Sequence, residues 1–122
     1  MNIEAFRIYC LNKPGVEETL PFGPDTLVFK VKGKMFAATG LSEPSFRVNL
    51  KCEPERAQEL REAHPQIIPG WHMNKKHWNT VFFEDGLHED LLLELIDHSY
   101  HLVVAKLPKK DRDVITRELE QR

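Results

Sequence analysis

The fold is decided by the stretch Leu27-Val28-Phe29-Lys30-Val31-Lys32-Gly33-Lys34-Met35. Leu27, Phe29 and Val31 recur at every second position, which is the period of a strand with one buried face. The residues between them, Val28 included, are expected on the opposite, solvated face. Gly33 tolerates positive φ and therefore predicts a tight turn, after which residues 35–40 return as a second strand. The stretch predicts an antiparallel hairpin with one apolar and one basic face.

The flanking segments extend this hairpin into an α+β domain. Residues 45–51 and 77–83 are predicted to be further strands, the former with Phe46, Val48 and Leu50 inward. Helices are predicted over residues 3–12, 53–64 and 88–106, and a loop over residues 67–76. This order predicts a two-layer α/β sandwich, in which an antiparallel sheet carries its helices on one face. Residues 1–108 are expected to form a single domain, and residues 109–122 a charged C-terminal tail that is either helical or frayed.

Composition narrows the class of protein. A chain of 122 residues suits one domain with one core. Its apolar runs are only a few residues long, so no membrane partner is expected, and the first residues do not resemble a secretory signal. Cys10 and Cys52 lack CxxC spacing, so packed, reduced thiols and a cytoplasmic location are expected.

Basic residues concentrate on the predicted solvated face of the sheet. Residues 26–51 contain five Lys or Arg and one carboxylate, whereas residues 84–105 contain six carboxylates and no Lys or Arg. Cationic side chains on adjacent strands can follow a phosphate backbone, but any solvated antiparallel face also needs polar residues. The net charge of −2 argues against strong nucleic-acid binding. The candidates for phosphate contact on these strands are Lys30, Lys32, Lys34, Arg47 and Lys51.

A second basic segment, residues 69–80, contains no acidic residue. Lys75, Lys76 and His77 are candidates for further phosphate contacts. Trp71 can stack on a base, receive a protein partner or form a lid over the sheet edge. Trp78 is expected in the core, because tryptophan is largely buried on average.

Signatures of enzymes and metal sites are missing. His98 and His101 lie three apart on a predicted helix, but no Cys or carboxylate is placed to complete a site. The phosphate-binding motifs GxGxxG and GxxxxGK[ST] do not occur, nor does GxSxG. We therefore predict a non-enzymatic protein with no catalytic residues, no metal and no cofactor.

Several motifs, in order, resemble the MmcQ/YjbR family of small bacterial proteins. The resemblance covers about residues 1–110. It rests on Leu20-Pro21-Phe22-Gly23-Pro24-Asp25, Phe29-Lys30-Val31, Lys34-Met35-Phe36, Asn49-Leu50-Lys51-Cys52, the segment from Ile68 through Trp71 to Trp78, His98-Ser99-Tyr100 and Val104-Ala105-Lys106-Leu107-Pro108-Lys109-Lys110.

The resemblance implies a CyaY-like (frataxin-like) fold and a DNA-binding function carried by a "double wing" of hairpins. Lys34, Lys51, Lys75 and Lys76 are the shared positions that best match phosphate contacts. The leading hypothesis is weak DNA binding with little sequence preference. The alternative is a protein- or peptide-binding module, similar to secretion chaperones, that receives its partner at Trp71 and the open sheet face.

Overall fold

The computed structural model describes residues 1 to 122 and contains a six-stranded antiparallel sheet and four helices. The strand order in the sheet is β1-β2-β3-β4-β6-β5. The predicted α+β architecture is confirmed, with the helices on one face of the sheet. Along the chain the elements are α1 (Ile3–Leu11), β1 (Val16–Thr19), β2 (Thr26–Val31), β3 (Lys34–Gly40), β4 (Arg47–Lys51), α2 (Pro54–Ala63), β5 (Ile67–Pro69), β6 (Trp78–Phe82), α3 (Glu89–Ala105) and α4 (Lys109–Glu120).

The starts of the helices follow from capping chemistry that the sequence contains. The side chain of Asn2 accepts a hydrogen bond from the Ala5 amide at 2.9 Å and so begins α1. Pro54 occupies the first turn of α2, where a missing N–H costs no hydrogen bond. The ring of His88 accepts from the Asp90 amide at 3.2 Å at the start of α3. None of the four helices combines the length and apolar character needed to cross a membrane.

The core lies between the sheet and the helices. Phe6 of α1 packs edge-to-face against Phe29 of β2 and against Phe83, with ring centroids 5.2 and 5.5 Å apart. Polar groups join α3 to this core: the buried Tyr100 hydroxyl donates to the Pro14 carbonyl at 2.6 Å. These contacts hold α1 and α3 against one side of the sheet and leave its other side free of helices.

The sequence did not predict two strands, β1 and β5, which lie at the sheet edges. β1 carries consecutive carboxylates, which are uncommon in strands. Glu18 is accommodated there because Arg7 of α1 pairs with it at 2.5 Å, and this hydrogen bond lowers the pKa of Glu18. β5 is three residues long and ends at Pro69, so its sequence resembles a loop. Both strands can be recognised only from their pairing with the neighbouring strands, β1 with β2 and β5 with β6.

A bulge in β3 sets which side chains reach each face. Phe29 pairs with Ala37 and Lys30 pairs with Met35, so Phe36 is the extra residue. Phe36 and Ala37 are therefore both buried in the core. Met35 is placed beside Lys30 on the helix-free side of the sheet.

The predicted C-terminal tail, residues 109–122, contains the helix α4, which packs on the domain through Ile115. α4 places Ile115 in the core cluster, where it is fully buried. A β-carbon at Gly15, whose φ is +74°, would lie 2.6 Å from the Ile115 side chain. Only glycine allows this approach without displacing the Ile115 side chain, so the turn after α1 forms part of the surface on which α4 packs.

Candidate functional site

The helix-free side of the sheet, called the outer face below, is partly covered. Val28 was predicted to face solvent, and this was wrong, because Val28 and its cross-strand neighbour Ala38 are buried on the outer face. Trp78 was predicted in the core, and this was also wrong. It pairs with Lys51 on the outer face and is half-buried there. The solvated basic face expected from the alternation is therefore interrupted by an apolar centre.

Residues 70–77, called the 70–77 loop, fold back over the outer face. The Trp71 amide donates to the Thr80 hydroxyl at 2.8 Å, and the Asn49 side-chain amide donates to the Trp71 carbonyl at 3.3 Å. Thr80 in turn donates to the Asn49 side-chain oxygen at 2.5 Å. Gly70 permits the turn, because a β-carbon there would lie 2.9 Å from the Trp78 carbonyl oxygen. Asn49, on the outer face of β4, thus anchors the loop.

A second anchor reaches the 70–77 loop from the helix layer. Arg61 of α2 donates to the Asn79 side-chain oxygen at 2.6 Å, to the Trp78 carbonyl at 3.2 Å and to the Lys75 carbonyl. The Lys75 ammonium donates to the Gly70 carbonyl at 3.1 Å. The loop is therefore tied to both layers, although its side chains are mostly exposed.

Phe22 and Trp71 border a cavity of about 370 Å³ on the outer face, called the aromatic cavity. Both rings are largely exposed, at 73% for Phe22 and 55% for Trp71. Met35 and Ala38 also line the cavity, together with the polar residue Asn49. A mainly apolar cleft with a few polar groups is the usual form of a ligand site.

Arg47 differs from the other predicted phosphate contacts. Its guanidinium pairs with Glu43 at 3.3 Å and lies 5.1 Å from the centre of the Phe82 ring. The buried Nε atom of Arg47 has no hydrogen-bond partner, and Arg47 lines the aromatic cavity. An unpaired buried donor is costly, and because this Nε atom is shielded from solvent it is a local cost of the fold and not a contact for a ligand in the cavity.

Most of the predicted lysines lie at one end of the sheet, called the basic end. The β2–β3 turn leads into β3, whose first half lies beside the end of β4 because Ala37 pairs with Leu50. Lys51, the last residue of β4, pairs in turn with Trp78, the first residue of β6. The Cys52 amide donates to the His77 carbonyl at 2.8 Å, which joins the 70–77 loop to β4. The basic end contains Lys32, Lys34, Lys51, Lys75, Lys76 and His77.

These lysines are free of ion pairs. No carboxylate pairs with any of the six lysines predicted from the sequence, whereas Arg47 pairs with Glu43. The pKa of Lys51 is lowered, first by burial and then by repulsion from Lys106. Lys30 lies apart from the end, on the outer face opposite Glu17. The basic end is therefore a positive surface whose lysines make no ion pairs, next to the aromatic cavity.

Cys10 and Cys52 are buried, and His98 is partly buried. His98 accepts from the Glu53 amide at 3.2 Å, and burial lowers its pKa. No group of three potential ligands that could hold a metal ion converges in the chain. Burial raises the pKa of Cys10 to about 12 and that of Cys52 to about 11, which leaves both thiols protonated at neutral pH.

Sequence reasoning missed Phe22, Arg61 and Asn79. Asn79 occupies an inward position of β6, beside the inward Val81. A polar residue at an inward position needs a buried partner, and this was the available signal for the Arg61 contact. Phe22 carried no signal beyond its place in a Pro- and Gly-rich turn.

Comparisons with known proteins give one consistent result. The YjbR family profile matches residues 11–102. YbdF of Escherichia coli O157:H7 is 39% identical over 109 residues, covering 89% of each chain. YjbR of Escherichia coli K12 is 34% identical over 115 residues, covering 94% of this chain and 98% of its own. Both relatives are described as uncharacterised, so they indicate no activity.

Solved structures agree with the fold. The crystal structure of the Deinococcus radiodurans protein DR2400, with a DUF419 domain, matches at a TM-score of 0.87 and 43% identity, over 94% of this chain and 88% of that one. A crystal structure from Pseudomonas syringae matches at 0.72 and 30% identity, over 84% and 98% of the two chains. Sequence and structure together show that this chain belongs to the MmcQ/YjbR family.

Proposed function

We propose that this protein is non-enzymatic and binds DNA weakly through its basic end, with little sequence preference. The observation that supports the proposal is the group of lysines without ion pairs at one end of the sheet. Ammonium groups that are not neutralised by the protein remain available to phosphates. The hairpin turn with Lys32 and Lys34 and the 70–77 loop with Lys76 carry exposed lysines of this surface.

The expected affinity is low for an electrostatic reason. The chain has a net charge of −2, and α3 begins with acidic residues, so attraction is confined to the basic end. Contacts to phosphate carry no sequence information. Four phosphate contacts, from Lys32, Lys34, Lys51 and Lys76, predict a log–log salt slope of about −3.6.

Fluorescence anisotropy with labelled duplex DNA at several salt concentrations tests the proposal. The variant Lys34→Gln/Lys76→Gln should weaken binding and reduce the magnitude of the salt slope by about 1.8, that is, about 0.9 for each phosphate contact. The matched control is Arg7→Gln/Arg56→Gln, which removes the same charge from α1 and α2, where each arginine already pairs with a carboxylate. A flat salt slope, or equal losses in both variants, would exclude the basic end as the binding surface.

The aromatic cavity favours a second candidate, a protein- or peptide-binding module. Phe22 and Trp71 expose large apolar surfaces next to each other across the cavity, and exposed aromatic clusters are common at protein interfaces. Affinity capture with wild type and Trp71→Ala separates the two candidates. A partner lost from Trp71→Ala, with DNA affinity unchanged, supports the module. If wild type and Trp71→Ala capture the same proteins, the binding-module hypothesis loses its support.

A further inference from the structure

We propose that the aromatic cavity holds one unstacked base of a single-stranded nucleic acid, whose phosphates continue to the basic end. This inference rests on the proposed nucleic-acid binding and specifies its ligand. The volume of about 370 Å³ is at the lower end of the range for small-ligand sites, roughly 300–1,000 Å³. A single ring system suits such a cavity, whereas the paired, stacked bases of a duplex cannot enter it without being extruded.

The border of the cavity offers stacking surfaces. Trp71 makes one aromatic contact, with His72 at 5.1 Å and a steep interplanar angle of 77°, so no protein ring stacks in parallel on it. Phe22 has no aromatic neighbour within stacking distance. Proteins that bind single strands commonly stack bases on exposed aromatic rings of this kind.

The polar groups in the cavity favour a base that carries a carbonyl. The charged residues Arg47 and Glu43 line the cavity but pair with each other at 3.3 Å. Asn49 lines it too, and one of its amide hydrogens is committed to the Trp71 carbonyl, which leaves the other to donate. This hydrogen is available to an acceptor on the base. Pairing of an asparagine with adenine uses the amide oxygen as well as the amide hydrogens, and the Asn49 oxygen already accepts from Thr80. Thymine needs only a donor for its ring carbonyls, so thymine is expected to bind better.

The cavity and the basic end are continuous. Met35 lines the cavity and directly follows Lys34, which belongs to the basic end. Lys51 follows Asn49 by two residues on the same face of β4, a separation of about 7 Å. The 70–77 loop carries both Trp71 and Lys76. A strand that places one base at Trp71 therefore has ammonium groups beside its neighbouring phosphates.

Anisotropy with labelled oligo(dT) and oligo(dA) of about ten nucleotides, and a duplex of equal length, tests the inference. We expect oligo(dT) to bind more tightly than oligo(dA) or the duplex. Trp71→Ala and Phe22→Ala should each weaken oligo(dT) binding roughly tenfold, with the salt slope and the duplex affinity unchanged. Ile8→Ala is the matched control, because Ile8 is similarly exposed (61%) but belongs to α1 in the helix layer. Ile8→Ala should leave the oligo(dT) affinity, the duplex affinity and the salt slope unchanged.

The outcomes distinguish this inference from the proposed function. Equal affinity for single strand and duplex, with no effect of Trp71→Ala or Phe22→Ala, overturns the base site and leaves the basic end intact. No binding of any nucleic acid at low salt overturns both. Binding of extended aromatic peptides that depends on Trp71, without binding of oligo(dT), assigns the cavity to a peptide and also overturns the inference. Since Phe22 and Trp71 lie in separate loops and are exposed, both variants are expected to fold.

Discussion

Replacing Arg61 with alanine should release the 70–77 loop from the helix layer. The guanidinium of Arg61 donates to the Asn79 side chain at 2.6 Å, to the Trp78 carbonyl at 3.2 Å and to the Lys75 carbonyl. These bonds connect α2 to the start of β6. Their loss is expected to lower stability and to loosen the loop that carries Trp71 and the basic residues.

The consequences of the three lost bonds are unequal. The Trp78 carbonyl keeps a donor, since the Gly70 amide also bonds to it at 2.9 Å. Lys75 is exposed, so water can reach its carbonyl. Asn79 is only 2% exposed, and its remaining contact, to the Ala57 carbonyl, is long at 3.5 Å. An orphaned buried acceptor costs about 1–3 kcal/mol, so Arg61→Ala should cost about 2–3 kcal/mol, most of it at Asn79.

Urea unfolding of Arg61→Ala, Asn79→Ala and the double variant measures this cost. We expect a coupling energy of about 1–2 kcal/mol, because the double variant leaves no orphaned group. The matched control is Arg56→Ala in the same helix. Its partner Glu94 is about half exposed, and surface pairs contribute about 0–1 kcal/mol. Additivity within about 0.5 kcal/mol, or equal costs for Arg56→Ala and Arg61→Ala, would refute the reasoning.

Three further predictions concern the core and the charged groups. Ile115→Ala should destabilise the fold by about 2–4 kcal/mol in urea unfolding, because Ile115 is fully buried; a cost near zero would mean that α4 does not pack. The raised pKa values of Cys10 (about 12) and Cys52 (about 11) mean that the folded state holds these protons more tightly than the unfolded state. Stability should therefore fall as pH rises above about 8.5, the ordinary thiol pKa. Cys10→Ala should reduce this alkaline loss, measured as the shift of the urea midpoint. Lys51→Met should leave stability unchanged or higher, since burial and Lys106 disfavour the charge of Lys51. The same variant should weaken DNA binding. A clear loss of stability would contradict the view that this charge is unfavourable in the folded protein.

The helices and the central strands were predictable because their signals are local. Asn2 caps α1 and Pro54 begins α2 at the predicted positions, since capping depends on a few adjacent residues. β1 and β5 were not predicted, because short edge strands carry little periodicity and depend on a partner strand. The contact between Arg61 and Asn79 was missed for the same reason: its two partners lie on different elements.

The sequence by itself determined the hairpin, the two-layer architecture, the family and the residue types available for binding. Alternating apolar residues and short capping motifs act over a few positions, so they are visible without coordinates. Only the tertiary structure decided what the outer face presents. The fold-back of the 70–77 loop covers its centre, and the cavity lies between Phe22 and Trp71, which are far apart in the chain. The strand register gathers most of the predicted lysines at one end, because pairing between strands, and not spacing along them, sets which side chains become neighbours.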